Sequence, residues 1–303
     1  MTKRMTSWKT DATQGLIVGV VLMLVIILVD VGLILLALDY GENTIGTFFV
    51  GLAIIYSFRF LFQIGYWLDG LVRSSYLLDR NALIIRWGAI EYTIPMASVE
   101  CIMTGDEIEG RIRFHGVSWP GYQVGYGQLP GDIPALFFAT LPPRHQIYLV
   151  TSDMAYGISP ADREAFLESL VQRIEMGPTQ AVEAMAKRPA FMDWALWRDR
   201  PGMIGLGLGA LASLALIGFI CFRFEMLPAR LPLHFDAAGN PDWWGERGHV
   251  FMIPLIGLLS LAVNTLLGAL VYRYEKIVSY LLWGGTLLIQ ILVWIAALNA
   301  LQV

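Results

Sequence analysis

The chain has 303 residues, 56% of them hydrophobic and 15% charged, with 21 Lys and Arg against 25 Asp and Glu for a formal charge of -4. That composition is too apolar for an ordinary soluble domain, and an acidic balance without a Lys/Arg-rich run excludes the usual electrostatic footprint of a nucleic-acid binder. Two cysteines, Cys101 and Cys221, are too few for a disulfide framework or a thiolate metal site.

A bilayer core needs roughly 20 apolar residues in helix. The first two such runs extend from about Gly15 to Leu38 and from about Thr47 to Val72. The first is full length and lacks a small-residue cleavage site, so it is expected to be a retained helix rather than a removed signal peptide. Lys3, Arg4 and Lys9 precede it and the acidic Asp39 and Glu42 follow, which predicts a cytoplasmic N-terminus, with Arg73 returning the second span to that side.

From Ser74 to Glu175 the pattern changes to short alternating segments between turn signals, the signature of a β domain. Strands are expected over 76–78, 83–87, 91–94 and 99–102, with turns at Asp79-Arg80-Asn81 and Gly88. A loop containing Gly116, Gly121, Gly125, Gly127 and Gly131 follows, then strands over 135–141, 146–151 and 155–158. The block closes with a predicted helix: Ser159 as N-cap, Pro160 at the first helical position and Asp162 three residues after the cap. Phe166, Leu167, Leu170, Val171 and Ile174 form its apolar stripe, which must be buried. The expected solution is a small barrel or two packed sheets with the helix over an open end.

The run Tyr76-Leu77-Leu78-Asp79, Leu83-Ile84-Ile85-Arg86-Trp87-Gly88, Ile94-Pro95 and Val99, with Gly121-Tyr122, Gly125 and Ile158-Ser159-Pro160 to Phe166, resembles the bacterial PH-like domains attached to transmembrane helices. The resemblance covers about a third of the chain and implies a PH-like barrel with an interaction role. The charges argue against a phosphoinositide ligand. Arg80, Arg86, Arg111, Arg113, Arg144, Arg163 and Arg173 are outnumbered by acids, and no Lys occurs between Lys9 and Lys187. A multiply charged headgroup needs a basic cluster, so a protein-binding or structural domain is expected.

Ahead of the third span, Phe191, Met192, Trp194 and Trp197 alternate with Asp193, Arg198, Asp199 and Arg200, which reads as an interfacial helix. Spans three to five run from Gly202 to Phe222, Val250 to Tyr272 and Ile277 to about Ala300. Lys187, Arg188, Arg198, Arg200, Arg273 and Lys276 flank their predicted cytoplasmic ends, whereas the loop over 223–249 balances Arg223, Arg230 and Arg247 with Glu225, Asp236, Asp242 and Glu246 and is expected to face outward. The tail at Gln302 and Val303 then lies outside.

That loop holds the richest motif, Pro232, His234, Phe235, Asp236, Gly239, Pro241, Asp242, Trp243, Trp244 and Arg247. It resembles the signature of a small membrane module of unknown function shared with SdpI-like toxin-immunity proteins, with Arg247 standing about where Lys is usual. Gly239-Asn240-Pro241-Asp242 is turn chemistry, and Phe235, Trp243 and Trp244 are suited to an interface. A hydrogen-bonded cap on a helix pair is the preferred reading. His234, Asp236 and Asp242 converging on a divalent cation is the alternative.

Within the spans, Asp30 and Arg59 are expected to pair between adjacent antiparallel helices, because a charge deep in the bilayer needs a partner. Asn264 and Gln290 are expected to bond between helices, the sharper alternative being that all four line a solute path. Gly205 and Gly209 predict close helix packing in span three, and homodimerisation is a minority reading.

The whole predicts an α+β bacterial inner-membrane protein: two helices over 1–73, a cytoplasmic PH-like β-barrel or sandwich closed by an amphipathic helix over 74–176, an interfacial segment over 177–201, and three helices over 202–303. There is no phosphate-cradling loop, nucleophile elbow, metalloprotease helix or nicotinamide fingerprint. A non-enzymatic adaptor, assembly factor or regulator without cofactor or metal is therefore expected, with the bilayer and a membrane-associated protein as partners. Alternatives are a toxin-immunity or extracytoplasmic sensing protein, a metal-dependent enzyme and a small-solute transporter.

Overall fold

The computed structural model describes residues 5–39, 44–189, 194–235 and 241–301, with the backbone alone for 233–235. Among the described residues five helices are long and apolar enough to cross a membrane: α1 (Thr13–Asp39), α2 (Thr44–Val72), α4 (Arg200–Arg223), α5 (Met252–Val271) and α6 (Lys276–Ala300). The residues form two compact units, Met1–Asp30 with Ser57–Met192, and Val31–Tyr56 with Asp193–Val303.

The first unit joins parts of α1 and α2 to a β domain of two sheets. One sheet has the order β1 (Thr6–Lys9), β2 (Ser75–Leu78), β3 (Ala82–Trp87), β4 (Ile90–Pro95), β11 (Met185–Lys187). The other has the order β5 (Val99–Thr104), β9 (Ile147–Thr151), β10 (Ala155–Ile158), β8 (Ile133–Ala139), β7 (Tyr122–Leu129), β6 (Arg113–Trp119), with β10 parallel to β8 and antiparallel to β9. Period-two alternation decides which side chains go in. Tyr76, Leu78, Leu83, Ile85, Trp87 and Ile94 from the first sheet share one core with Tyr122, Phe138, Leu149 and Ile158 from the second. Helix α3 (Arg163–Met176) adds Phe166 and Leu170 to it.

Several expectations change. Among the described residues the strands do not close into a barrel; they remain two sheets. The first sheet reaches beyond 74–176, taking in β1 from before the first span and β11 from after α3. The glycine-rich loop is instead a long hairpin, β6 on β7, in which Gly116 lies opposite Gly125 and a Cβ on either would overlap the other strand. The missing side chains that made the segment look irregular are what let the two backbones approach. The N-cap of α3 is Asp162, whose carboxylate accepts from the Ala165 amide at 3.1 Å. Ser159 is diverted into the core, where its hydroxyl oxygen accepts from the Thr140 amide at 2.7 Å.

Tyr76 ties the two sheets together. Its hydroxyl donates to the Phe138 carbonyl at 2.6 Å and accepts from the Ser159 amide at 3.0 Å. Burial raises the pKa of this phenol above its ordinary value even though the bonds with Ser159 oppose the shift.

In the second unit glycines admit large side chains between helices. Trp283 of α6 lies against Gly202 of α4 and Gly268 of α5, and Phe48 of α2 lies against Gly218. Gly209 contacts Leu261 and Thr286, as its packing role requires, but among the described residues nothing fills the space beside Gly205. Before α4, residues 190–193 of the expected interfacial helix lie outside the described residues. Ala195–Arg198 is a single 3-10 turn, because Asp199 and Pro201 already start the next helix.

Candidate functional site

The β domain is built onto the first two membrane helices rather than tethered to them. Only three residues separate β1 from α1. Along this stretch the Ala161 amide donates to the Lys9 carbonyl at 2.9 Å, Thr10 bridges to Pro160, and the Thr10 and Ser74 hydroxyls bond to each other. At the β6–β7 turn Gly121 adopts a φ of +84°, and its carbonyl sits where a Cβ of Gly15 would be. The indole N–H of Trp119 donates to the Gly15 carbonyl at 3.2 Å. Trp119 stacks on Tyr122 at 4.2 Å between centroids and touches Trp67 of α2 at 5.5 Å. Backbone contact at Gly15 and an aromatic cluster on α2 hold the domain against its helix ends at two points. Gly15→Val is expected to prise this seat apart. Trypsin cleavage of the β domain in the full-length protein should then accelerate by about tenfold or more, the effect of ~1.4 kcal/mol; an unchanged rate would show that the seat contributes nothing.

The surface of this domain carries most of its arginines already engaged. Arg80 donates to the Met176 and Gly177 carbonyls, Arg144 to the Ile108 and Gly110 carbonyls, and Arg173 to Ser169 and Thr6. Arg86 pairs with Glu91 at 2.8 Å and Arg163 with Asp106 at 3.4 Å. Arg111 and Arg113 share a small polar hollow with Asp132, which lies 4.0 Å from Arg113.

In the second unit, β12 (Arg230–Phe235) and β13 (Pro241–Glu246) make a two-stranded ribbon with Pro232 opposite Trp244 and His234 opposite Trp243, bulged on both sides of His234. Trp243 and Trp244 are 50% and 52% exposed. Neighbouring residues of a strand point to opposite faces, so the two indoles emerge on opposite sides of the ribbon, while Leu231 and Pro232 of the facing strand are buried. The Arg247 guanidinium lies 5.0 Å over the Phe224 ring, and the Arg247 amide donates to the Ala229 carbonyl. Asp242 is exposed at the start of β13; Asp236, Gly239 and the His234 and Phe235 side chains lie outside the described residues, and with them the proposed cation site.

Asp30 is buried, but its partner is Ser57, whose hydroxyl donates at 2.7 Å, and not Arg59, which is exposed. Two residues are about 200° of helical turn. Once Ser57 faces α1, Arg59 must face away. Asn264 donates to the Thr286 hydroxyl at 3.0 Å and Gln290 to the Gly257 carbonyl at 2.9 Å, so both amides join α5 to α6 as expected.

The most densely bonded carboxylate among the described residues, Asp199, was not singled out by sequence reasoning. It caps α4 by accepting from the Gly202 amide. It also accepts from Tyr272 at 2.6 Å and Tyr280 at 2.7 Å, with the Lys276 ammonium at 3.3 Å. Desolvation would raise its pKa, but the bonds from Tyr272, Tyr280, Gly202 and Lys276 outweigh it and hold the carboxyl at about 2, below its ordinary 3.8. The same bond to Asp199 raises the Tyr272 phenol. Asp-x-Pro ahead of an apolar run is a legible helix start; the two tyrosines and the lysine come from the far end of the next hairpin and carry no local signal.

Residues 74–174, from the start of β2 to near the end of α3, match the family described as a bacterial PH domain. Residues 211–258, covering the second half of α4, the β12–β13 ribbon and the start of α5, match a domain of unknown function (DUF1648), the SdpI-like membrane module. No curated protein and no solved structure matches the chain.

Proposed function

We propose that this multi-pass membrane protein is a non-enzymatic adaptor, assembly factor or regulator of a bacterial inner membrane, holding a protein partner through its PH-like domain on the cytoplasmic side. The observation that carries the reading is the seat at Gly15, Gly121 and Trp119, which presents the domain in one fixed attitude to the helices that enter the bilayer. A fixed presentation lowers the ordering cost of capturing a partner. Five of its arginines are spent on internal bonds and pairs, which favours a protein over an anionic headgroup. Helix α3 would then serve to close the open end between the sheets.

Affinity capture of the full chain in mild detergent is expected to recover a defined partner that Gly15→Val loses, while a chain with its 230–246 ribbon exchanged keeps it. Cys101 is exposed and Cys221 buried. A membrane-impermeant maleimide should therefore label Cys101 only after spheroplasts are permeabilised. Labelling of intact spheroplasts would reverse the orientation and remove the cytoplasmic adaptor with it.

A second reading rests on the uncovered Trp243 and Trp244: an outward ribbon that recognises a peptide, as in immunity or signal sensing. It predicts the converse, that exchanging the ribbon abolishes the phenotype and Gly15→Val spares it.

A further inference from the structure

We infer that the cleft between β5 and α3 is a docking groove for an extended segment of a partner protein carrying alternating apolar and basic side chains, which adds to the sheet as a strand beside β5; this rests on the adaptor reading and names the chemistry of its partner. Strand β5 ends its sheet, and among the described residues it pairs with β9 alone. The ends of its outer edge are already bonded, Val99 donating to the Met96 carbonyl and Thr104 bonding with Glu107 through both its amide and its carbonyl. Open N–H and C=O groups, which proteins normally blunt with Lys, Pro or a covering segment, are therefore confined to residues 100–103, where a bulge follows Val99 and no other segment covers the edge among the described residues. Val99–Thr104 contains neither Lys nor Pro.

Along this edge runs a cleft of about 200 Å³ between Val99 and Ile102 of the strand and Val171 and Ile174 of the helix, rimmed by Glu100 and Glu175. Val171 is 43% exposed although it belongs to the apolar stripe of α3, so the stripe is wider than the core it covers. The two rim carboxylates have no ion-pair partner among the described residues. A strand laid here would send alternate side chains into the apolar cleft and the others toward the glutamates. Charge complementarity then asks for Lys or Arg at those positions, and it disfavours a phosphorylated peptide or a lipid headgroup.

The test uses the full chain in nanodiscs of zwitterionic lipid, with a fluorescent peptide of alternating isoleucine and lysine, about ten residues long to match a typical strand. This peptide should bind saturably and slow thiol modification of Cys101, which lines the same cleft; the buried Cys221 stays silent. The isoleucine–glutamate counterpart should fail, as should the lysine peptide with alternate backbone amides methylated, because the edge bonds are then lost. Glu100→Lys with Glu175→Lys should weaken binding by about tenfold or more, the sum of two attractions lost and two repulsions gained. Equal binding of the methylated peptide, or an affinity unmoved by the double reversal, overturns the groove. Doubling of particle mass without peptide, lost on Val171→Asp, overturns it in favour of a second copy. If affinity capture returns the same partner with wild type and with the double reversal, the groove falls and the adaptor reading stands; if it returns none with either, the adaptor reading falls.

Discussion

Replacing Asp199 with alanine is expected to lower the melting temperature of the full-length protein in detergent by about 5 °C or more, the largest loss of any single polar substitution in the second unit. The carboxylate gathers Tyr272, Tyr280, Lys276 and the Gly202 amide at the start of α4. Its removal leaves the half-buried Tyr272 and Tyr280 hydroxyls and the buried Gly202 amide without their acceptor, whereas the exposed Lys276 returns to water, so the loss comes from the first three. Its acid dependence has a definite sign. The folded pKa of about 2 lies below the ordinary 3.8, so the stabilisation is fully present above pH 3.8 and disappears as pH falls through about 2. Asp199→Asn should erase that part of the acid dependence while losing less stability than alanine at neutral pH. Identical acid profiles for wild type and Asp199→Asn would show that the carboxylate does not clamp the helices.

Phe166→Ala is expected to cost the β domain about 3–5 kcal/mol, as for other fully buried aromatic side chains cut to a methyl group. The ring has no exposed surface, meets Trp8 edge-on at 5.6 Å and lies 6.3 Å from Tyr76. It joins α3 to the strand that precedes the first membrane helix and to the strand that follows the second. Since a domain's whole stability is about 5–15 kcal/mol, pulse proteolysis in urea should find the PH-like domain opening at much lower denaturant, with α1 losing its seat at the same time. Phe166→Leu should keep most of the stability. A loss below about 1 kcal/mol for alanine would mean that α3 is not part of the core.

Much of the β domain was readable because a buried strand announces itself by alternation, and Leu83, Ile85 and Trp87 do so clearly. The β6–β7 hairpin was not, because glycine removes the side chains on which periodicity depends, and the same absence is what brings Gly116 and Gly125 together. Strand β1 was hidden by its length, since four residues ahead of a long apolar run carry no period of their own. At the candidate sites, Asn264 and Gln290 kept the role their position suggested, whereas the partner of Asp30 turned on helix rotation. Both Ser57 and Arg59 lie near the right depth, and only packing chooses the face.

The sequence alone determined that the chain is a membrane protein with five apolar spans and a PH-like insert, because hydrophobic length and alternation are local properties that no tertiary contact needs to supply. Only the tertiary structure decided that the insert is seated on its helices through Gly15 and Gly121, that β5 ends its sheet beside α3, and that Asp199 gathers two tyrosines and a lysine. Each of these depends on residues separated by roughly 70 to 110 positions, brought within reach by packing geometry that no window along the chain contains.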